Sequence, residues 1–264
     1  MSAPQLQTRE LKRCESTQDE LWALIEAEQK GAERTPDALY SLEQRAGRGR
    51  RGRAWLSPPQ SCLCVSWRLP TEGLEARELW ALSFVGAVAV ARALRQLGAP
   101  CELKWPNDVL WRDKKLAGLL CEARVNALSA LNGGQGLAPS PVVVLGLGLN
   151  LTPHPLAHER SVSLGELLSQ VRAEPVACDA LAPAALVELL SAELWGALSL
   201  LKTQGAEAVI MAWREDSLPR GALLKSGELE GRLIEVSAQG ALLLDTAQGV
   251  VSIEAGEVEL VSSS

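Results

Sequence analysis

The chain has 264 residues, 47% hydrophobic and 22% charged. That balance suits one large domain, or a large domain with a small appendage, and excludes disordered and fibrous chains. Net charge is −6, yet five of the 26 basic residues fall between Arg45 and Arg53; the other 21 face 32 acidic ones, a balance of −11, which points to a local anion site rather than a broad nucleic-acid surface.

Ser16-Thr17-Gln18-Asp19-Glu20 reads as a helix start, because Ser16/Asp19 and Thr17/Glu20 each have capping-box spacing. The helix buries Leu21, Trp22, Leu24 and Ile25, stops at Gly31, and leaves its first amides facing a polar ligand. Residues 38–44 read as a strand, the basic loop follows, and Ser61 to Leu69 alternates as a second strand. Arg77 to Leu97 is expected to be one long helix with Leu79, Leu82, Gly86, Val90, Ala93, Leu94 and Leu97 inward and Gly98 as its stop. A short strand leads into Lys104-Trp105-Pro106-Asn107-Asp108, where Pro106 forces a turn. Lys115 to Arg124 and Pro141 to Leu151 read as buried strands around a loosely specified loop, Asn132 to Gly136. Pro183 opens a helix that ends at Gly205, and a shorter one covers Glu207 to Arg214. After Leu218-Pro219 come five short runs, Ala222–Lys225, Leu229–Val236, Ala241–Asp245, Val250–Glu254 and Glu257–Leu260. Their spacing, with glycines nearby, predicts a small barrel-like β-module.

No membrane segment or secretory signal is expected. The longest uncharged run, Val125 to His158, holds five glycines and four prolines, and the denser Leu79 to Ala91 has only 13 residues, short of the ~20 a span needs. Cys14, Cys62, Cys64, Cys101, Cys121 and Cys178 are scattered without a C-x-x-C, as reduced thiols in a cytoplasm would be.

Four segments carry the chemistry. In Gly47-Arg48-Gly49-Arg50-Arg51-Gly52-Arg53 the glycines allow close backbone approach, and the arginines offer forked donors to phosphate or carboxylate. A solvated basic loop or an RNA-binding stretch explains that run alone equally well. Trp55 either walls a pocket for a flat heterocycle or belongs to the core. Lys104–Asp108 fixes a phosphate, a ribose or a hydrated Mg²⁺, or is an ordinary turn with a nearby ion pair. Lys115 places an ammonium at a strand mouth with room beside Gly118, or simply snorkels. Gly146 and Gly148 open a slot on one side of a strand tipped by Asn150, or mark tight packing. Cys62 and Cys64 share one strand face and read as buried rather than reactive. His154 and His158 have metal spacing, but Pro153 and Pro155 bracket the first, so no metal ligands are assigned.

Taken in order, Ser16-Thr17-Gln18, Gln44, Gly47–Arg53 with Trp55, Lys104–Asp108, Lys115–Gly118 and Gly146–Asn150 resemble the biotin–protein ligases from about residue 13 onward. The resemblance implies an α/β (α+β) fold: a mixed sheet with flanking helices, like class II aminoacyl-tRNA synthetases, over residues 1–218, then an SH3-like β-barrel over 219–264. It implies that biotin and ATP give biotinyl-5′-AMP, from which a lysine of a biotin carboxyl carrier protein takes the biotinyl group. Ser16, Thr17, Gln18, Gln44, Arg48, Gly49, Arg50, Lys115 and Gly118 would then surround biotin. Arg50, Arg53, Trp55, Lys104, Asn107, Asp108 and Asn150 would belong to the ATP and Mg²⁺ side, with Lys115 and Arg50 catalytic.

Gln18 stands where the family usually has Asn, and Ala117 where a second glycine is common. About 15 residues precede Ser16, too few for a helix-turn-helix, so the expectation is a monofunctional ligase with neither specific DNA nor a membrane as partner; a homodimer stays open. The glycine-rich loop is expected to be mobile without ligand and to close over the adenylate. A lipoate ligase or octanoyltransferase shares the broad fold, and a nucleic-acid-binding protein would explain the loop alone.

Overall fold

A computed structural model describes residues 6–124, 141–154, 160–172 and 182–261. The loop Asn132–Gly136, His158 and Cys178 lie outside the described residues. Strands β1 (Thr8–Glu10), β2 (Ala38–Ser41), β3 (Cys62–Leu69), β4 (Glu102–Lys104), β5 (Asp108–Trp111), β6 (Lys114–Arg124) and β7 (Val142–Asn150) form one sheet in the order β1-β2-β3-β7-β6-β5-β4. β1 runs parallel to β2 and the other neighbours are antiparallel, so the sheet is mixed.

Helices α1 (Thr17–Gln29), α2 (Leu82–Gln96), α3 (Leu164–Arg172) and α4 (Pro183–Glu215) flank it. The side-chain period of two divides each central strand between two environments. Val143, Leu145, Leu147 and Leu149 of β7, with Leu63, Val65 and Trp67 of β3, join the main core with α2 and α4. Val144 faces the other way, into a small cluster with Leu21, Trp22 and Ile25 of α1. β3 is therefore covered on both faces, and the expected alternation of exposed and buried residues in Ser61–Leu69 is absent.

The expected helix 77–97 starts as a tight 3₁₀ segment, Ala76–Ala81, and becomes α-helical only at Leu82. α2 is buried almost all round because it lies between the sheet and α4. α4 breaks at Gly205, whose φ of 82° and ψ of 178° are non-helical, at the expected stop. This helix has the length and apolar composition to cross a membrane, a property the sequence reading missed. In the fold, its Leu186, Leu190, Leu194, Leu198 and Leu201 are buried and the helix packs on α2. β1, β5 and α3 are additions to the elements expected from the sequence. The start of α3 is set by Ser163, whose Oγ accepts from Glu166 N while the Glu166 carboxylate takes the Ser163 amide.

Strands β8 (Leu223–Ser226), β9 (Leu229–Val236), β10 (Leu242–Thr246), β11 (Gly249–Ile253) and β12 (Glu259–Leu260) make a second, antiparallel sheet in the order β11-β10-β9-β8-β12. It docks through its own backbone. Trp105 Nε1 donates to Gly240 O at 2.9 Å, Arg214 Nε to Val236 O at 2.8 Å, and Lys104 Nζ to Val258 O at 3.0 Å.

Candidate active site

Strand register builds the floor. Lys104 lies opposite Asp108, Asp108 opposite Gly118, Gly118 opposite Gly148, Gly148 opposite Cys64, and Cys64 opposite Ser41, a single row across the sheet on the α1 side. The next row on this face is Leu120, Gly146, Ser66 and Leu39. Where β7 carries Val144 the face is filled by α1; where it carries glycines a cavity of about 780 Å³ opens. The slot expected at Gly146 and Gly148 is thus present. A Cβ on Gly148 would lie 2.2 Å from Trp55 Cε2, and one on Gly146 would lie 2.6 Å from Gln18 Oε1.

One end of the cavity is lined chiefly by neutral polar side chains, with Arg48 at its edge. Ser16 caps α1 by accepting from Asp19 N at 3.3 Å. Gln44 Oε1 accepts from Thr17 N at 2.7 Å and Thr17 Oγ1 at 3.1 Å, and the Thr17 and Ser66 hydroxyls are 2.9 Å apart. Ser66 Oγ donates to Gln18 Oε1 at 3.0 Å, and Gln18 Nε2 donates to Val144 O and to Glu122 Oε2, both at 3.2 Å. Gln18 is buried, so the longer amide at this position is absorbed by the room that Gly146 leaves.

The other end is cationic. Asp108 pairs Lys115 Nζ at 2.7 Å and Lys104 Nζ at 2.9 Å. Burial alone would raise the Asp108 pKa, but the two ammonium groups outweigh it and hold the carboxyl below its ordinary value. Lys115 Nζ also lies 5.4 Å from the centre of the Trp55 ring. The expected ammonium at the strand mouth is therefore present but already ion-paired. Asn107 Nδ2 donates to Leu119 O at 2.7 Å, and its Oδ1 accepts from Arg50 Nη1 at 3.3 Å. Desolvation pushes the Arg50 pKa down. Arg53 Nη2 is 2.5 Å from Glu257 Oε2, so the second sheet supplies one wall, with Lys225, Ser226 and Gly256 beside it.

Ser16, Thr17, Gln18, Gln44, Arg48, Gly49, Arg50, Arg53, Trp55, Lys104, Asn107, Asp108, Lys115 and Gly118 all line this cavity. Asn150 does not. It faces an adjoining cavity of about 310 Å³ with Cys62, His154, Ser163 and Glu166, where its Nδ2 donates to Lys115 O and Val162 O. Trp55 and Lys115 line both cavities. The Trp55 indole N–H is buried without a hydrogen-bond partner.

Four contributors escaped the sequence reading. Ser66 had a readable signal, a lone hydroxyl two residues beyond Cys64 on the face that Cys62 and Cys64 share. Asp19, Glu122 and Glu257 are counter-charges to the basic loop whose partners lie 29 to 204 positions away, and no local pattern marks them. Cys62 and Cys64 are buried as expected; burial raises both thiols, Cys62 to about 11. The described residues contain no group of three or more His, Cys, Asp or Glu side chains suited to a metal ion.

Residues 11–131 match the biotin/lipoate A/B protein ligase family. The chain is 32% identical over 240 residues to the bifunctional ligase/repressor BirA of Escherichia coli, covering 88% of this chain and 69% of that protein. It is 32% identical over 227 residues to the biotin–[acetyl-CoA-carboxylase] ligase of Paracoccus denitrificans, covering 83% and 88% respectively. Among solved structures, the biotin protein ligase from Aquifex aeolicus in complex with biotin and ATP superposes with a TM-score of 0.72 at 26% identity, over 97% of this chain and 99% of that one.

Proposed function

The chain belongs to the biotin–protein ligases, and from that membership we propose that it activates biotin with ATP and passes it to a lysine of a biotin carboxyl carrier protein. In the first step a biotin carboxylate oxygen attacks the α-phosphorus of ATP, the bond to the β-phosphate oxygen breaks, and pyrophosphate leaves. In the second, the acceptor amine attacks the carbonyl carbon of biotinyl-5′-AMP, AMP leaves, and the amide nitrogen loses a proton.

The observation that carries this reading is the place of Lys115, on the partition between a polar slot and a second cavity. Joining a carboxylate to a phosphate brings two anions together, so positive charge must be concentrated at the junction. Ser16, Thr17, Gln18 and Gln44 suit the ureido end of an otherwise apolar bicycle; the room expected beside Gly118 is taken by Lys115 and Trp55, both 3.1 Å from where a Cβ would stand. Gly49 lets the loop backbone approach the acyl chain. Arg50, Arg53 and Lys104 suit the phosphates, and Asn107 holds Arg50 in place. Trp55 and Asn150, which both line the second cavity, suit the adenosine there. Lys115 and Arg50 are assigned as the catalytic residues, since both line the cavity in which that junction would form.

Asp108 has both oxygens committed to lysines, and no acidic cluster surrounds it among the described residues. This donor set does not build a protein-held Mg²⁺ site; it fits an ion that enters on the triphosphate and neutralises it there. The second sheet is read as an SH3-like barrel beginning near residue 219. Its contacts to Arg53 and Lys104 support a part in closing the phosphate side.

Pyrophosphate exchange into ATP tests the reading. Exchange should depend on biotin and not on lipoate or octanoate. Exchange driven by lipoate or octanoate would move the chain to the related acyl-ligase activity, and none with any of the three would overturn the proposal.

A further inference from the structure

We infer that Asp19 and Glu122 are positioning residues which hold the basic loop over the biotin slot by gripping the Arg48 side chain. The inference rests on the functional reading above for its consequence, but not for its geometry.

Arg48 was expected to touch biotin. Its guanidinium is instead engaged by two carboxylates: Nη2 and Nε donate to Asp19 at 2.5 and 3.2 Å, and Nη1 donates to Glu122 Oε1 at 3.1 Å. Asp19 lies in the first turn of α1 and Glu122 on β6, so two rigid elements take hold of one loop residue. Glu122 is itself fixed independently of the loop, because its Oε2 accepts from Gln18 Nε2 at 3.2 Å and Trp22 Nε1 at 3.1 Å. A forked donor held on three nitrogens by pre-placed carboxylates is well suited to pinning a glycine-flanked backbone.

The loop is tied at two ends by different partners. Arg48 secures the end beside Thr17 and Gln44; Arg50 and Arg53 secure the end beside Asn107 and Glu257. The loop backbone is also paired on itself, Trp55 N to Gly47 O at 2.8 Å and Gly49 N to Arg53 O at 2.7 Å, so releasing Arg48 loosens the loop as a unit over the slot without removing cations from the phosphate side. Loss of the grip should appear in biotin retention and not in the chemical step.

The test compares Asp19→Asn, Glu122→Gln and Arg48→Ala, with Glu122→Gln also made in the Arg48→Ala background. Limited trypsin cleavage between Arg50 and Arg53 is followed in the free protein, together with biotin release and the KM and kcat of pyrophosphate exchange. Asp19→Asn should speed cleavage and biotin release about 3-fold, as befits a half-exposed pair. Glu122→Gln should do so about 10-fold, as befits a less exposed charged hydrogen bond. Both should raise the KM for biotin by similar factors and leave kcat within about 2-fold. Most of the Glu122→Gln effect should vanish once Arg48 is alanine, because the two act as one unit. Unchanged cleavage in both single variants, or a Glu122→Gln effect that persists undiminished without Arg48, would overturn the inference. If the unmodified chain shows no biotin-dependent exchange, the functional reading fails while the cleavage rates still decide whether the grip exists.

Discussion

Replacing Gly148 with alanine puts the architecture of the site to a severe test. The added methyl would stand 2.2 Å from Trp55 Cε2, 2.5 Å from Nε1 and 2.6 Å from Cζ2, all well inside an ordinary contact of 3.4 Å. β7 cannot yield, because Gly148 is paired on one side with Cys64 and on the other with Gly118 in the middle of the sheet. The indole must therefore lift away. Overpacking of this kind costs about 1–3 kcal/mol. At 2 kcal/mol the melting temperature should fall by about 4–8 °C for a chain of this size. A displaced Trp55 also deprives the nucleotide of its wall, and base–aromatic stacking is worth about 1–3 kcal/mol, so the KM for ATP in pyrophosphate exchange should rise about 10-fold while the KM for biotin changes little. Trp55→Ala removes the obstacle. Adding Gly148→Ala to it should cost less than about 0.5 kcal/mol further, as for a clash with no remaining partner. A single variant with unaltered melting temperature and ATP KM, or a double variant in which the two losses simply add, would refute the placement of the indole against β7.

Lys115→Ala should lower adenylation by about 10²–10³-fold, the usual effect of removing one electrostatic donor from a reacting centre. Its melting temperature should hardly move, because Asp108 keeps Lys104 at 2.9 Å; Lys115→Arg should restore part of the rate, and exchange by Lys115→Ala near that of the unmodified chain would sink the assignment. Gly240 sits at φ +82° with a Cβ position 2.4 Å from the Trp80 ring, where the second sheet docks. Gly240→Ala should therefore cost about 2–3 kcal/mol from strain and overpacking together, seen as a lowered midpoint in urea. An unchanged midpoint would contradict that docking. Burial holds the Cys14 and Cys62 thiols at about 11 and those of Cys101 and Cys121 at about 12, against an ordinary value of 9.0. Cys14, Cys62 and Cys64 are buried and should react with a thiol reagent only on unfolding, while the partly exposed Cys101 and Cys121, protonated at pH 8, should react slowly. The unfolded chain releases these protons near pH 9 while the folded one retains them, so the stability they confer is full below pH 9 and lost as pH rises through 11–12. Rapid labelling of these thiols in the native protein would count against the burial.

Much of the site was legible because its signals are local. The period of two placed Gly146 and Gly148 on one face, and the glycine–arginine run singled out by its residue types does line the cavity. What filled the slot was not legible, because Trp55 reaches it across 93 positions of sequence. The plainer reading of Lys104–Asp108 as a turn with a nearby ion pair proved accurate as geometry, yet the same pair, extended to Lys115, became the cationic end of the cavity. Arg48 shows the limit most clearly. A guanidinium presents the same donors to a ligand carboxylate as to Asp19 and Glu122, and only the fold decides between them. α3 was missed although Ser163 and Glu166 carry capping-box spacing, and the 3₁₀ start before α2 was missed because the apolar pattern continues through it.

The most direct measurement is the intact mass of a biotin carboxyl carrier domain after incubation with this protein, biotin and ATP. The carrier should gain one biotinyl group at the acceptor lysine, dependent on both small molecules and absent when that lysine is replaced by arginine. An unmodified carrier in the presence of both, under conditions where the protein is folded, or modification that proceeds without ATP, would contradict the proposed transfer.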